Sequence, residues 1–570
     1  MRELAAVLVR EALVAAIEAD EVALADVPDV RVERPRDPLH GDWATNVAMA
    51  SAKDAGMNPR QLAEIIAARM AGHTDVAAVE VAGPGFINIR LSANALQRVV
   101  TEVRAAGAGF GRINEGEGRR VQVEFVSANP VGPMHVGHGR WAALGDSMAR
   151  VLAHAGWSVE REFYINDQGV QMDVFAKSVA ARYLELCGRD VAFPEEGYRG
   201  AYITEIAREI LADEGDRWAE AEPSVREAHF LERAYAQVLA HLEQVLHGMG
   251  VDFDVWFSER TLHEQSADGE QTAVERTLGR LKDAGCLYEH EGALWFRSTA
   301  FGDDKDRVLK KADGSYTYFA ADIAYHADKY DRGFDRVINI WGADHHGYVK
   351  RMEAAVAALG HEGQLTVVIG QLVNLFRGGE VVRMSKRTGE MVTFEDLLDE
   401  VGPDAARYFF LRRSTDQALD FDIALAKEQS SDNPVYYVQY AHARICAILR
   451  KAAGADTADT RIDIAAAAET LVNADAPLHL LATEPELALM RKLAEFPDVV
   501  EVAARQLAPN KLTRYAEDLA ASFHQFYTQC RVVDPDDAEL TAARLCAIDA
   551  TRIALAAVLG LIGVSAPERM

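Results

Sequence analysis

Hydrophobic and polar positions divide the chain into stretches of different period. At the start, MRELAAVLVREALVAAIEAD sets charges between apolar residues at helical spacing and predicts an amphipathic helix. NPRQLAEIIAARM keeps that period, with Asn58 placed to cap a helix and Pro59 at its first position. VAAVEVAGPGFINIRLS predicts two strands around the Gly83-Pro84-Gly85 turn. These elements read as a compact α+β domain over 1–112, closed by the polar, glycine-rich linker GAGFGRINEGEG.

RVQVEFV (120–126) is a continuous apolar-leaning run of the kind buried in parallel sheets. It enters SANPVGPMHVGHGRWAALGDSMARVLAHAG, where Pro130, Gly132 and Pro133 break structure. Helical spacing starts near His135, and Gly156 is placed to stop it. Strand, tight turn, helix is how a nucleotide-binding, Rossmann-like parallel-sheet domain opens, and we extend it over 113–430. Within it, about 175–300 reads as a charged helical insertion. DRVINIWGADHHG and LTVVIGQLVNLF each contain a core strand. Past SSDNP, strand signals fade, and Ala, Leu and Arg recur at helical spacing. Residues 431–570 are predicted to form an all-α helical bundle, with Asn433 as cap and Pro434 in its first turn. The fold class is therefore multidomain α/β.

Length supports this division, because 570 residues exceed what one core organises. The net charge of -28 argues against a DNA-coating protein, and DNA is not an expected partner; one local basic track stays possible. The five cysteines, Cys187, Cys286, Cys446, Cys530 and Cys546, form no CxxC pair, so reduced thiols are expected and a zinc site is not. No signal peptide and no run of 18 apolar residues is found, so no membrane partner is expected, and the predicted location is cytoplasmic.

Two constellations carry chemistry. In His135-Val136-Gly137-His138, histidines at i and i+3 share one side of a helix start, where N–H groups attract phosphate. Gly137 and Gly139 leave room for a flat base against the backbone. By itself an HxxH pair is equally a structural or surface feature. The second is Arg383-Met384-Ser385-Lys386-Arg387-Thr388-Gly389, preceded by Arg377-Gly378-Gly379. Its cationic, glycine-flanked character suits a loop that closes over a polyphosphate, or simply a solvated basic loop.

Together, and in this order, the two constellations resemble the HIGH and KMSKS signatures of class I aminoacyl-tRNA synthetases. Val136 stands for Ile, Arg383 for the first Lys and Arg387 for the last Ser, while Lys386 is retained. Further blocks narrow the resemblance to arginyl-tRNA synthetases: HGDWATNVAMA (40–50), GPGFINI (83–89), SANPVGPMHVGH (127–138), FYINDQGVQM (163–172), GSYTYFAADIAYHADKY (314–330), GADHHGY (342–348), NPVYYVQYAHAR (433–444) and APERM (566–570).

The resemblance implies ATP with Mg2+ and no zinc, and L-arginine and tRNA(Arg) as partners. It implies transfer of arginine to the tRNA's terminal adenosine and a need for bound tRNA in activation. A monomer is expected. Its catalytic residues would be His135, His138 and Lys386. ATP would be met by His135, Gly137, His138, Gly139, Asp344, His345, Met384, Ser385 and Lys386. Arginine would be held by Glu124, Ser127, Asn129, Tyr318 and Asp322, since a guanidinium asks for acidic, planar hydrogen-bonding partners. Tyr436, Tyr440, Arg444, Tyr527 and Met570 would contact tRNA, although tyrosines at helical spacing also suit a core. The N-terminal domain would grip the tRNA elbow and the helical domain the anticodon. Rival readings are a glutamyl or cysteinyl enzyme, a non-catalytic tRNA-binding paralogue and a small-molecule nucleotidyltransferase. The N-terminal domain and the GPGFINI block argue against the first, the intact His135, His138 and Lys386 against the second, and the outer domains against the third.

Overall fold

The computed structural model describes residues 1–35, 37–265, 269, 271–382, 392–454, 468 and 476–570. Met384, Ser385 and Lys386 lie outside the described residues.

At the N-terminus, helix Arg2–Glu18 buries Leu8, Val9 and Leu13 along one stripe. Its sheet is antiparallel, in the order β1 (Trp43–Thr45), β3 (Phe86–Leu91), β2 (Val76–Ala82). β2 and β3 pair across the Gly83-Pro84-Gly85 turn, as their two-residue period predicts. Helix Pro59–Met70 starts on the Asn58 cap, whose Oδ1 accepts from Arg60 N at 2.9 Å.

The central domain is a five-stranded parallel sheet. Its strands are β4 (Arg120–Glu124), β5 (Ser158–Ile165), β6 (Val255–Ser258), β10 (Arg336–Gly342) and β11 (Leu365–Gly370), in the order β11-β10-β4-β5-β6. This is the Rossmann arrangement. Connections leave β4 in one direction and β10 in the other, so a crevice opens at their carboxyl ends. An antiparallel sheet of β7 (Leu287–His290), β8 (Ala293–Phe296) and β9 (Arg307–Lys310) lies between β6 and β10 in sequence. After β11 comes a small sheet of β12 (Val373–Arg377), β13 (Glu380–Val381) and β14 (Leu419–Asp422).

The helical insertion expected over about 175–300 is therefore not one unit. Helices Val170–Leu186, Ala201–Glu214 and Pro223–Gly248 form the crossover from β5. The chain then returns to the parallel sheet as its edge strand β6 and goes on to β7 and β8. VWFS is only four residues long, too short for its period to stand out between long helical runs.

Among the described residues, five helices of more than ten residues follow: Pro434–Ala452, Glu484–Ala494, Phe496–Gln506, Asn510–Gln529 and Ala538–Leu561. The first begins on Asn433, whose Oδ1 accepts from Val435 N at 3.2 Å. Arg407 ties this bundle to the sheet domain. It has no exposed side-chain surface and pairs with Asp146, while donating to the Ile562 carbonyl at 2.9 Å and the Met249 carbonyl at 3.1 Å. A buried guanidinium with fixed donors can hold three segments in register where one apolar contact would slide.

Candidate active site

β4 ends at Glu124 in the crevice. Val126 and Ser127 then adopt left-handed backbone, with φ of 68° and 43°. Residues with a Cβ rarely go there, and the strain is characteristic of functional turns. The turn brings Ser127 Oγ back over the strand end. It donates to Glu124 Oε1 at 3.2 Å and accepts from Tyr164 N at 3.2 Å.

Helix Val136–His154 starts immediately afterwards. The rings of His135 and His138 stack at 3.7 Å. His135 N donates to His138 Nδ1 at 3.2 Å, so that nitrogen is unprotonated and Nε2 carries the proton of the neutral ring. Each histidine thus caps the helix through the other and presents a defined edge at its positive end. Trp141 stands edge-on to His138, 5.4 Å away. It leans on the paired ends of β10 and β11, where a Cβ on Gly370 would stand 2.3 Å from the indole nitrogen.

Gly139 has a packing use beside the one expected. A Cβ there would lie 2.3 Å from the Phe394 ring, so this glycine also makes room for a buried phenylalanine. Phe394 N also donates to the Met134 carbonyl at 2.9 Å, and Thr393 bridges His135. Thr393 and Phe394 are in this way fastened to the HVGH segment.

Helix Tyr318–Asp331 supplies the opposite wall. Tyr318, Asp322, His326 and Lys329 share one face and descend from mouth to floor. Tyr318 is 69% exposed, its hydroxyl facing Gly169; Lys329 is wholly buried. Asp322 accepts from the Tyr348 hydroxyl. Burial pushes its pKa up to about 7, and the Glu259 and Glu124 carboxylates add to the rise. Burial would raise Glu124 too, but the Lys329 ammonium, 2.6 Å away, holds it below the ordinary range. Losing one member of such a buried pair costs on the order of 3–5 kcal/mol, because the other charge is stranded. His326 is kept neutral, its pKa lowered to about 4 by burial and then by Lys329.

The remaining residues expected at the cleft take distinct places. Asn129 is exposed, donating to Gln171 Oε1 at 2.9 Å. Asp344 and His345 sit exposed on the short turn Ala343–Tyr348 beyond β10. The sequence reading missed Tyr348 in that same block, as well as Glu259, His326 and Lys329. Spacing held the signal for the last two, since 318, 322, 326 and 329 fall on one helical face. Glu259 had none, because the role of VWFS was itself hidden.

On the helical domain, Tyr436 and Tyr440 stack at 6.0 Å. Arg444 lies 4.7 Å over the Tyr440 ring and 5.1 Å from that of Tyr527, which is 39% exposed. These rings are half-buried, not core. Tyr436, Tyr437, Tyr440, Arg444 and His524 line a hollow of about 390 Å³. Arg450 holds Glu568 and His442 meets the Pro567 carbonyl, so the segment before the exposed Met570 is tied to the same helix.

Three family models match the chain: the arginyl tRNA synthetase N-terminal domain over 5–91, the class I tRNA synthetase (R) catalytic domain over 100–422, and the DALR anticodon-binding domain over 438–570. An arginine–tRNA ligase of Heliobacterium modesticaldum is 52% identical, covering 98% of this chain and 97% of that protein. One from Moorella thermoacetica is 48% identical over 100% of this chain and 99% of its own. The solved Thermus thermophilus arginyl-tRNA synthetase shares the fold, with a TM-score of 0.72, 23% identity and full coverage of both chains.

Proposed function

The chain belongs to the arginyl-tRNA synthetases, and from that premise we propose how its residues divide the reaction. The enzyme is a class I ligase that activates arginine with ATP and esterifies it to tRNA(Arg). The ionised carboxylate of arginine attacks the α-phosphorus of ATP in line; the bond to pyrophosphate breaks and arginyl-adenylate forms. A hydroxyl of the tRNA's terminal ribose then attacks the acyl carbon, and AMP leaves. The first nucleophile is already charged, so positioning and charge stabilisation carry catalysis.

The guanidinium is taken by Asp322, Glu259 and Glu124, with Tyr318 closing the mouth and Ser127 and Asn129 orienting the amino acid. ATP, arriving with Mg2+, lies along the crevice against the N-terminus of helix Val136–His154. Its phosphates face His135, His138 and Lys386, and the neighbouring ATP contacts are Gly137, Asp344, His345, Met384 and Ser385. One observation carries this reading: a helix face that sets Asp322 above the buried Lys329–Glu124 pair lines the same Rossmann crevice as a histidine-capped helix start. Domains divide near 112 and 430. The first holds the tRNA elbow, and the last reads anticodon bases with Tyr436, Tyr440, Arg444, Tyr527 and Met570. Among the described residues no helix is long and apolar enough to cross a membrane, and a cytoplasmic monomer is the proposed working form.

Labelled pyrophosphate exchange into ATP, run with each amino acid and with or without tRNA, tests the reading. Exchange with arginine, dependent on tRNA, is the expected outcome. Exchange with another amino acid, or none, overturns it. Lys386→Ala should slow activation far more than it weakens arginine binding.

A further inference from the structure

Glu124, Asp322 and Glu259 crowd one cleft, and a guanidinium brings a single positive charge. Three carboxylates around one cation in a dry site would repel one another and take up protons. The fold supplies a second cation from below. Lys329 has no exposed surface, and its Nζ lies 2.6 Å from Glu124 Oε2, 3.1 Å from Asn339 Oδ1 and 4.2 Å over the Tyr325 ring. Ammonium carries three donors, and the carboxylate, the amide and the ring face account for their directions.

We propose that Lys329 is a positioning residue and the permanent counter-cation of the arginine pocket. It keeps Glu124 ionised and oriented before substrate arrives, and it leaves Asp322 and Glu259 to meet the guanidinium charge. The inference rests on Glu124 belonging to that pocket.

A chain of hydrogen bonds extends the effect. Asn339 Oδ1 accepts from Lys329, so its Nδ2 donates to His326 Nε2 at 2.8 Å. His326 Nδ1–H then donates to the Asp322 carbonyl at 2.8 Å. A protonated His326 would set two N–H groups against each other, so it adds no positive charge at neutral pH. Lys329 thereby fixes one carboxylate directly and the backbone of another through two side chains.

The groups facing Glu124 come from every element around it. Helix Tyr318–Asp331 brings Lys329, His326, Asp322 and Tyr325. β5 brings Glu162, level with it in register, and Tyr164; the strained turn brings Ser127; Glu259, past the end of β6, faces Tyr164 and Asp322 beside it; and β10 brings the neutral Asn339 through Lys329. Arg332 is occupied with Glu160 and Glu162. Removing Lys329 therefore leaves Glu124 among acids, and it should hold a proton at neutral pH.

The test is steady-state arginylation with arginine varied, from about pH 6.5 to 9, in the full-length wild type, Glu124→Gln, Lys329→Met and the double variant. Lys329→Met should raise KM for arginine about tenfold at neutral pH while kcat falls less than about threefold. The excess in KM over the wild type at the same pH should shrink as pH rises and Glu124 ionises, beyond the tightening toward about pH 7 that Asp322 gives both proteins. The double variant should match Glu124→Gln within about twofold, since the lysine acts through that carboxylate. An unchanged KM in Lys329→Met, a pH-independent excess or additive effects would overturn the proposal. If Lys329→Met does not fold, the charge-balanced double variant decides: KM equal to that of Glu124→Gln supports the proposal, and a higher one refutes it. A wild-type KM in Glu124→Gln removes Glu124 from the pocket, and the inference falls with it, by a different result.

Discussion

Helix Tyr318–Asp331 and helix Pro434–Ala452 each present a face at i, i+4 and i+8 spacing. On the first the residues are Tyr318, Asp322 and His326; on the second, Tyr436, Tyr440 and Arg444. The first face dives from an exposed tyrosine into fully buried charge. The second stays half-buried, its rings and guanidinium stacked on one another. On the proposed function, the contrast teaches how one chain reads two kinds of ligand. A small cation is recognised by desolvated carboxylates, where each charge counts and needs a partner. RNA bases are recognised by flat apolar and cationic faces, which tolerate water and sequence variation.

The contrast predicts unequal sensitivity to substitution. Asp322→Asn keeps shape and removes charge, so kcat/KM for arginine should fall by about two to three orders of magnitude, given a charge-assisted pair lost in a dry site. Thermal unfolding should be unharmed or improved, because an acid with a raised pKa works against the fold at neutral pH. A small kinetic effect would show that the buried face is structural.

His138→Ala should slow adenylate formation by roughly a hundredfold while arginine KM stays within about twofold. Single-turnover measurement of pyrophosphate release separates the two. Loss of arginine binding instead would place the histidines on the wrong side of the crevice.

Asp322 also sets a pH dependence. Its pKa in the folded protein, about 7, lies above its ordinary value, so in the free enzyme it holds a proton below neutrality. Guanidinium binding needs the carboxylate, so arginine should bind more tightly as pH rises toward about 7 and level off above. For the fold the sign is opposite: the stability that its protonation contributes is full below the ordinary carboxylate range and is lost as pH rises through about 7. Calorimetry in two buffers at about pH 6 should record proton release on arginine binding, and Asp322→Asn should abolish it. Proton uptake would reverse the assignment.

The smallest effects belong to the half-buried face. Tyr440→Ala should raise KM for tRNA about tenfold, a typical cost of one stacked base, with arginine KM unchanged. Lys329 sharpens the same division from the other side, since it is a cation that no solvent or ligand sees.

Much of this was legible before any coordinates. The capping pairs Asn58-Pro59 and Asn433-Pro434, the β2–β3 turn and the start of helix Val136–His154 follow from local rules, which the chain obeys wherever it is placed. Motif resemblance named Glu124, Tyr318 and Asp322, which the structure brings to one crevice. Tertiary structure alone decided that VWFS is the edge strand β6, that Gly139 makes room for Phe394, and that the carboxylate of Glu124 faces a lysine from a helix far along the chain. Those outcomes depend on which surfaces exclude water together. Burial is a property of the assembled fold, and it turns ordinary Asp, His and Lys side chains into a pocket with fixed charges.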